Sequence, residues 1–327
     1  MSHSATILGG ITGTELTTAE RDFFRAADPW GFILFGRNVE SPDQLRRLTA
    51  DLREAVGRDA LITVDQEGGR VQRLRAPHWQ EWPAPLDQAA AGPRAMWLRY
   101  YLIGQELRDV GIDSDCAPTL DIAQADTHPF LRNRCFGTDP ISVADLGRSA
   151  ADGLIAAGVV PVMKHIPGHG RAVADSHLGL PTVTATMDEL DIFDFAPFRA
   201  LSDLPIGMTA HIRFTALDDA PATASPTVID LIRRRIGFDG LLMTDDITMN
   251  ALAGTEPERA TASIAAGCDI VLHCNGTIDS MEPVVAAAGT MSPQAQRRAD
   301  AALTWRDTPE ELDRTALLAE WQSLTTA

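Results

Sequence analysis

Eight short apolar runs, separated by longer helical patterns, constrain this chain more than any other feature of its sequence. They fall at 5–9 (ATILG), 31–35 (GFILF), 60–64 (ALITV), 112–116 (IDSDC), 159–163 (VVPVM), 205–209 (PIGMT), 240–244 (GLLMT) and 269–274 (DIVLHC). Several are apolar throughout, as strands are when a parallel sheet is covered on both faces. The fourth alternates, with Asp113 and Asp115 set against Ile112, Ser114 and Cys116. Helix starts lie between the runs. Thr17-x-x-Glu20 and Ser41–Pro42–Asp43–Gln44 have capping-box spacing, the second with proline at the first helical position. Ser225–Pro226 opens another helix, residues 94–109 read as a long helix ahead of the fourth strand, and 308–311 (TPEE) predicts the start of a terminal helix. Eight βα units in 327 residues favour an α/β fold, a single (β/α)8 barrel of the TIM type. On this reading 1–327 is one catalytic domain, with C-terminal helices from about 291 packed on the outside. A doubly wound open sheet is the alternative.

In a barrel, chemistry sits on the loops that follow the strands. Here Asp65 follows strand three, Lys164 and His165 follow strand five, His211 strand six, Asp245 strand seven and Asn275 strand eight. The strands were assigned from apolar runs alone, so the convergence of polar groups at five strand ends is independent evidence of an active site.

Composition narrows the chemistry. A formal charge of −17 excludes nucleic acid and anionic membrane as partners, because phosphate binding needs clustered Lys and Arg. Cys116, Cys135, Cys268 and Cys274 lack metal-ligand spacing and read as reduced thiols. The amino terminus has no signal-peptide pattern, and no stretch approaches the ~20 apolar residues of a membrane span. The cytoplasm is the expected location.

The segment 164–170 (KHIPGHG), followed by Asp175–Ser176–His177, gathers a cation, three imidazoles and a carboxylate around glycine and proline. It reads as a loop that presents titratable groups. Asp175 can orient His177, which could then give a proton to a leaving oxygen and take one from water; a solvated surface loop is the bland alternative. Asp245, at the end of a buried strand, could act as a carboxylate nucleophile, with Asp246 in support. The alternative is a turn-capping Asp beside a solvated one. In 65–73 (DQEGGRVQR) Asp65 could accept hydrogen bonds from hydroxyls and Arg73 could donate them, while the double glycine permits a sharp turn. For Arg70 an internal salt bridge competes, and Arg134 is ambiguous alone. His273 reads as a packed histidine. Neither glycine-rich segment matches a phosphate-binding fingerprint.

Together these segments resemble glycoside hydrolase family 3, and most closely its compact bacterial N-acetylglucosaminidase branch. The matching pieces are 31–38 (GFILFGRN), 64–74 (VDQEGGRVQRL), 133–140 (NRCFGTDP), 164–170 with 175–177, 208–212 (MTAHI), 221–226 (PATASP), 240–252 (GLLMTDDITMNAL) and 265–275 (AAGCDIVLHCN). The resemblance implies a TIM-type barrel and a retaining double displacement with no metal or organic cofactor. It implies Asp245 as nucleophile and His177, oriented by Asp175, as general acid/base. It further implies that Asp65, Arg73, Arg134, Lys164 and His165 bind a terminal N-acetylglucosamine. The implied substrate is β-1,4-linked N-acetylglucosaminyl-1,6-anhydro-N-acetylmuramic acid, with or without peptide, in peptidoglycan recycling. A small carbohydrate is then the only partner, and a monomer is expected. Asn133 and Cys135 around Arg134, and Ile166 in place of an aromatic, depart from the pattern and bear on fine substrate preference.

Two enzyme readings compete. A metal-dependent amidohydrolase could use His165, His211 and Asp245, but lacks an H-x-H after strand one, where 10–14 is GITGT. A phosphorylase would use phosphate in place of water, which an imidazole acid/base does not repel. A non-enzymatic sugar-binding barrel would need neither Asp245 nor the Asp175–His177 pair.

Overall fold

In the computed structural model, eight parallel strands close on themselves in sequence order. They are β1 (Ser4–Leu8), β2 (Pro29–Leu34), β3 (Leu61–Val64), β4 (Ser114–Asp115), β5 (Val160–Ile166), β6 (Ile206–Thr209), β7 (Leu241–Asp246) and β8 (Ile270–His273). The structure describes residues 2–174, 176, 179–306 and 308–326. Closure is made by Leu8, which lies beside Phe32 of β2 on one side and His273 of β8 on the other. The (β/α)8 barrel expected from the apolar runs is therefore present, and the open sheet is excluded. β1 and β2 are buried along their whole length, as strands between a filled barrel interior and a helical coat must be.

Local sequence sets the helix starts. Thr17 and Glu20 form the complete capping box: the Glu20 amide donates to Thr17 Oγ1 at 3.2 Å and the Thr17 amide to Glu20 Oε2 at 2.8 Å. At Ser41 only half of the expected box forms. Ser41 Oγ accepts from the Gln44 amide, but Gln44 turns its own side chain to the Glu40 amide and to the carbonyls of Thr14 and Asn38. Those three partners outnumber the one the box would offer.

Three expectations are corrected. The fourth strand is two residues rather than five, since the Asp113 side chain takes the Ile62 amide at 2.8 Å and then binds Arg53 and Arg306. The terminal helix runs Arg314–Thr325 under an Asp313 cap and does not begin at Thr308. The Glu310 amide donates to Ala156 O and its carbonyl accepts from Tyr101, so that backbone bonds across to neighbouring helices instead of within a turn. That helix lies against Gly92–Arg108, with Trp321 edge-on to Trp82 at 4.9 Å. Finally, Lys164, His165 and Ile166 belong to β5 rather than to a loop. The Lys164 carbonyl accepts from Leu120 and the Ile166 carbonyl from Ala210, which keeps the strand paired through its last residue, with a register shift at His165. Strand character makes Lys164 a rigid mount for a functional group.

No helix of the described residues is long and apolar enough to cross a membrane. All four cysteines are free and buried.

Candidate active site

At the carboxyl ends of the strands lies a cavity of about 350 Å³. Asp65, Arg73, Arg134, Lys164, His165 and Asp245 all line it. Asn275 does too, whereas His211 does not. Sequence reasoning placed His211 with the converging groups; the structure corrects this. Its Nε2 donates to Asp246 O at 3.0 Å and its Nδ1 meets Thr223 Oγ1 at 2.7 Å, so both ring nitrogens are consumed in bracing the backbone beside Asp245. The amidohydrolase reading needs His211 as a metal ligand and loses it for that reason. Among the described residues no group of three His, Cys, Asp or Glu is placed to hold a metal ion.

The loop after β3 is built around a buried glutamine. Gln66 Oε1 accepts from the amides of Arg73 and Leu74, and its Nε2 donates to Leu74 O, which staples the two ends of the turn. Gly68 adopts φ 101°, and a Cβ there would lie 2.0 Å from Arg99 Nη2 and 2.6 Å from Pro83 O. The position therefore admits only glycine.

This loop presents Asp65 and Glu67 to Lys164, whose side chain is 1% exposed. Lys164 Nζ lies 2.9 Å from Asp65 Oδ1 and 2.5 Å from Glu67 Oε1. Asp65 also receives Arg73 at 3.0 Å, and Glu67 takes Arg134 in a two-pronged pair at 2.9 and 2.8 Å. Burial alone would raise both acids. Lys164 and Arg73 override it and hold Asp65 well below the usual carboxylate range. Arg134 and Lys164 bring Glu67 down to about 2. Burial would likewise discharge Lys164, and its two carboxylates reverse the sign. The result is a lattice biased to its charged forms, whose remaining donors and acceptors can meet a polar ligand without reorganising. Arg73, read from sequence as a hydrogen-bond donor to hydroxyls, and Arg134, given a ligand role only by the resemblance, are structural ties within it.

His165 Nδ1 donates to Asp121 Oδ2 at 2.6 Å, leaving Nε2 as the other face of the imidazole. Asp121 Oδ1 collects the His169 amide at 2.6 Å, so one carboxylate sets both the imidazole and the following turn. On the far wall, Asp245 accepts the Asp246 amide through Oδ1 at 2.7 Å. Burial would favour its neutral form, but His211 and His165 bias it to the carboxylate. Among the described residues Asp245 Oδ2 has no hydrogen-bond partner, so one carboxylate oxygen is available to the cavity. Asp246 is spent on structure, accepting from Thr248, Cys274 and Asn275.

Asp175 and His177 lie outside the described residues; Ser176 between them is buried and lines the cavity. Arg70 donates to Phe130 O at the rim. His273 is buried with Nε2 on Glu256, the packed role expected of it. Ile166 and Cys135 pack into hydrophobic clusters, and neither they nor Asn133 line the cavity, so none of the three departures from the family pattern touches it. Sequence reasoning missed Glu67 and Asp121, and gave His169 no role of its own. The signal for Asp121 was available: a carboxylate in the otherwise uncharged segment 116–123 (CAPTLDIA) after strand four, one of the three strands left without a polar end.

Comparison with known proteins identifies the family. The chain is 38% identical over 325 residues to the β-hexosaminidase of Methylococcus capsulatus, covering 96% of this chain and 95% of the relative. The crystal structure of native NagZ from Neisseria gonorrhoeae superimposes with a TM-score of 0.85 at 31% identity, over 100% of this chain and 98% of that one. A family 3 β-N-acetylglucosaminidase from Paenibacillus sp. gives 0.89 at 30% identity, over 98% and 68%. Residues 18–303, which carry every cavity residue named above, match the glycosyl hydrolase family 3 N terminal domain. A polar lattice on β3 and β5 facing a half-free carboxylate on β7, within a match of that extent, makes this chain a member of glycosyl hydrolase family 3.

Proposed function

We propose that the protein is a retaining exo-β-N-acetylglucosaminidase that removes terminal N-acetylglucosamine from N-acetylglucosaminyl-1,6-anhydro-N-acetylmuramic acid, with or without peptide, in cytoplasmic peptidoglycan recycling. The observation that carries the reading is Asp245, biased toward its carboxylate and with no hydrogen-bond partner for Oδ2 among the described residues, sharing one cavity with Asp65, Lys164 and Arg134, which Glu67 ties together from behind. The β-hexosaminidase and β-N-acetylglucosaminidase names of its relatives support the same substrate class.

In this reaction Asp65, Arg73, Arg134, Lys164 and His165 hold the sugar. Asp245 Oδ2 attacks the anomeric carbon as the bond to the leaving oxygen breaks. His177, oriented by Asp175, gives that oxygen its proton, then takes one from the water that cleaves the glycosyl-aspartate ester. Two displacements at one carbon retain the β configuration.

Nitrophenol release from nitrophenyl N-acetyl-β-glucosaminide in phosphate-free buffer with EDTA tests the reading. Steady turnover giving free N-acetylglucosamine is expected. Turnover that requires added phosphate and yields the sugar 1-phosphate would replace hydrolysis by phosphorolysis. Turnover restored only by a divalent metal would sink the glycosidase mechanism. For His177→Ala we expect a much larger loss on the disaccharide than on the nitrophenyl glycoside, whose leaving group departs without a proton. Equal losses on both would remove His177 from the acid role.

A further inference from the structure

Behind the lattice lies a third carboxyl group that the reaction above does not use. Asp115, on β4, is 0% exposed. Its Oδ1 accepts the amide of Gln66 at 2.9 Å, the residue between Asp65 and Glu67, while Oδ2 has no partner among the described residues. Among the described residues no cation bonds to it, although Arg99 Nε is also left without a partner. Lys164 serves Asp65 and Glu67, Arg134 serves Glu67, and Arg73 serves Asp65. Arg99 donates to Gln88 and to the carbonyls of Glu67 and Pro83. A buried carboxylate without a cation or a second donor is expensive, whereas a neutral carboxyl keeps its one acceptor bond.

We propose that Asp115 is a positioning residue that holds the Asp65–Glu67 loop as a neutral acid, and that its ionisation disables the sugar-binding lattice. The titratable groups facing it are Asp65 and Glu67 from the loop, Lys164 from β5, Arg99 and Tyr100 from the helix Gly92–Arg108, and its neighbour Cys116. Burial, reinforced by Asp65 and Glu67 against the Gln66 amide and Lys164, pushes the Asp115 carboxyl up to about 7. Ionisation adds a third negative charge where Lys164 is already shared between two. It draws on the ammonium and on the Gln66 staple that sets Asp65, Glu67 and Arg73. Substrate affinity then falls as pH rises through neutrality.

The inference rests on the lattice binding the sugar, and the test separates the two ideas. Asp115→Asn keeps an acceptor for Gln66 and cannot ionise; Asp115→Ala removes both. On nitrophenyl N-acetyl-β-glucosaminide, Asp115→Asn should match wild type at pH 6, and its kcat/KM relative to wild type should rise roughly tenfold by pH 8.5, carried by KM. Asp115→Ala should be impaired at both pH values. An Asn variant whose ratio to wild type is flat with pH, or which fails as the Ala variant does, overturns the proposal. A wild-type enzyme inert on this glycoside would instead overturn the functional reading.

A second readout needs no activity. A group whose pKa is raised on folding contributes stability that is lost as pH rises through its folded value. The melting temperature of Asp115→Asn relative to wild type should therefore climb from about pH 4 to about pH 7 and level off above it. A constant difference overturns the neutral-acid assignment.

Discussion

Asp245→Asn should lower kcat on the order of 10⁴-fold with the fold intact. The expectation follows from what each oxygen does. Oδ1 accepts the Asp246 amide, and an asparagine carbonyl can keep that bond. Oδ2 has no partner to lose among the described residues, so the melting temperature should stay within about 3 °C of wild type. The chemistry is another matter, because an amide does not form a glycosyl ester at a useful rate. His211 and His165 bias the wild-type group to its carboxylate, so ionisation is complete well below neutral pH and no loss of nucleophile is expected above it. Removing the side chain allows a sharper test. In Asp245→Gly, azide can enter the vacated space, attack the anomeric carbon from the same face and release the activated leaving group. The product is the inverted α-glycosyl azide. Rescue giving the β-azide, or an asparagine variant as active as wild type, would move the nucleophile to another residue.

Most of the strand architecture and most of the cavity wall were legible in the sequence because both leave strong local marks. Runs such as 240–244 (GLLMT) can only be strands buried on both faces, and a carboxylate immediately after such a run has few reasons to be there. What escaped was set by partners distant in sequence. Glu67 stands in the same turn as Asp65, but its importance comes from Lys164 and Arg134, 97 and 67 positions away. Asp121 is one carboxylate in a loop until His165 meets it. His211 shows the converse: a histidine at a strand end looks like a ligand, and only the positions of Thr223 and Asp246 reveal that both nitrogens are already bonded. The start of the terminal helix was misplaced for the same reason. The 308–311 spacing suits a cap, but the Glu310 backbone bonds to other helices. Local propensity decides an end only where no tertiary partner competes for its backbone groups.

Lys164→Met should destabilise the protein by about 3 kcal/mol at pH 7 while leaving the cavity's shape nearly unchanged. Methionine fills much the same volume, so little of the loss comes from packing. Its source is charge. Lys164 is buried, and its ammonium lies between Asp65 and Glu67, which remain buried with only Arg73 and Arg134 to balance them. The sign of the pH dependence is fixed by the same contacts. Both acids are held below their ordinary values of 3.8 and 4.5, Glu67 down to about 2. Their contribution is therefore present above the unfolded values and is lost as pH falls toward the folded ones. Lys164 is raised above 10.5, so its own contribution persists up to and beyond that pH. Denaturant midpoints should thus separate wild type from Lys164→Met by a constant margin from about pH 5 to 9 and converge toward pH 2 to 3. A margin unchanged down to pH 2 would mean that the lysine acts through packing alone. The variant should also lose affinity for N-acetylglucosamine, because relaxation of Asp65 and Glu67 dismantles the lattice that receives the sugar. On the proposed function, stability and recognition are coupled through one ammonium group: the charge that makes two buried carboxylates tolerable is the charge that fixes Asp65 at the cavity wall.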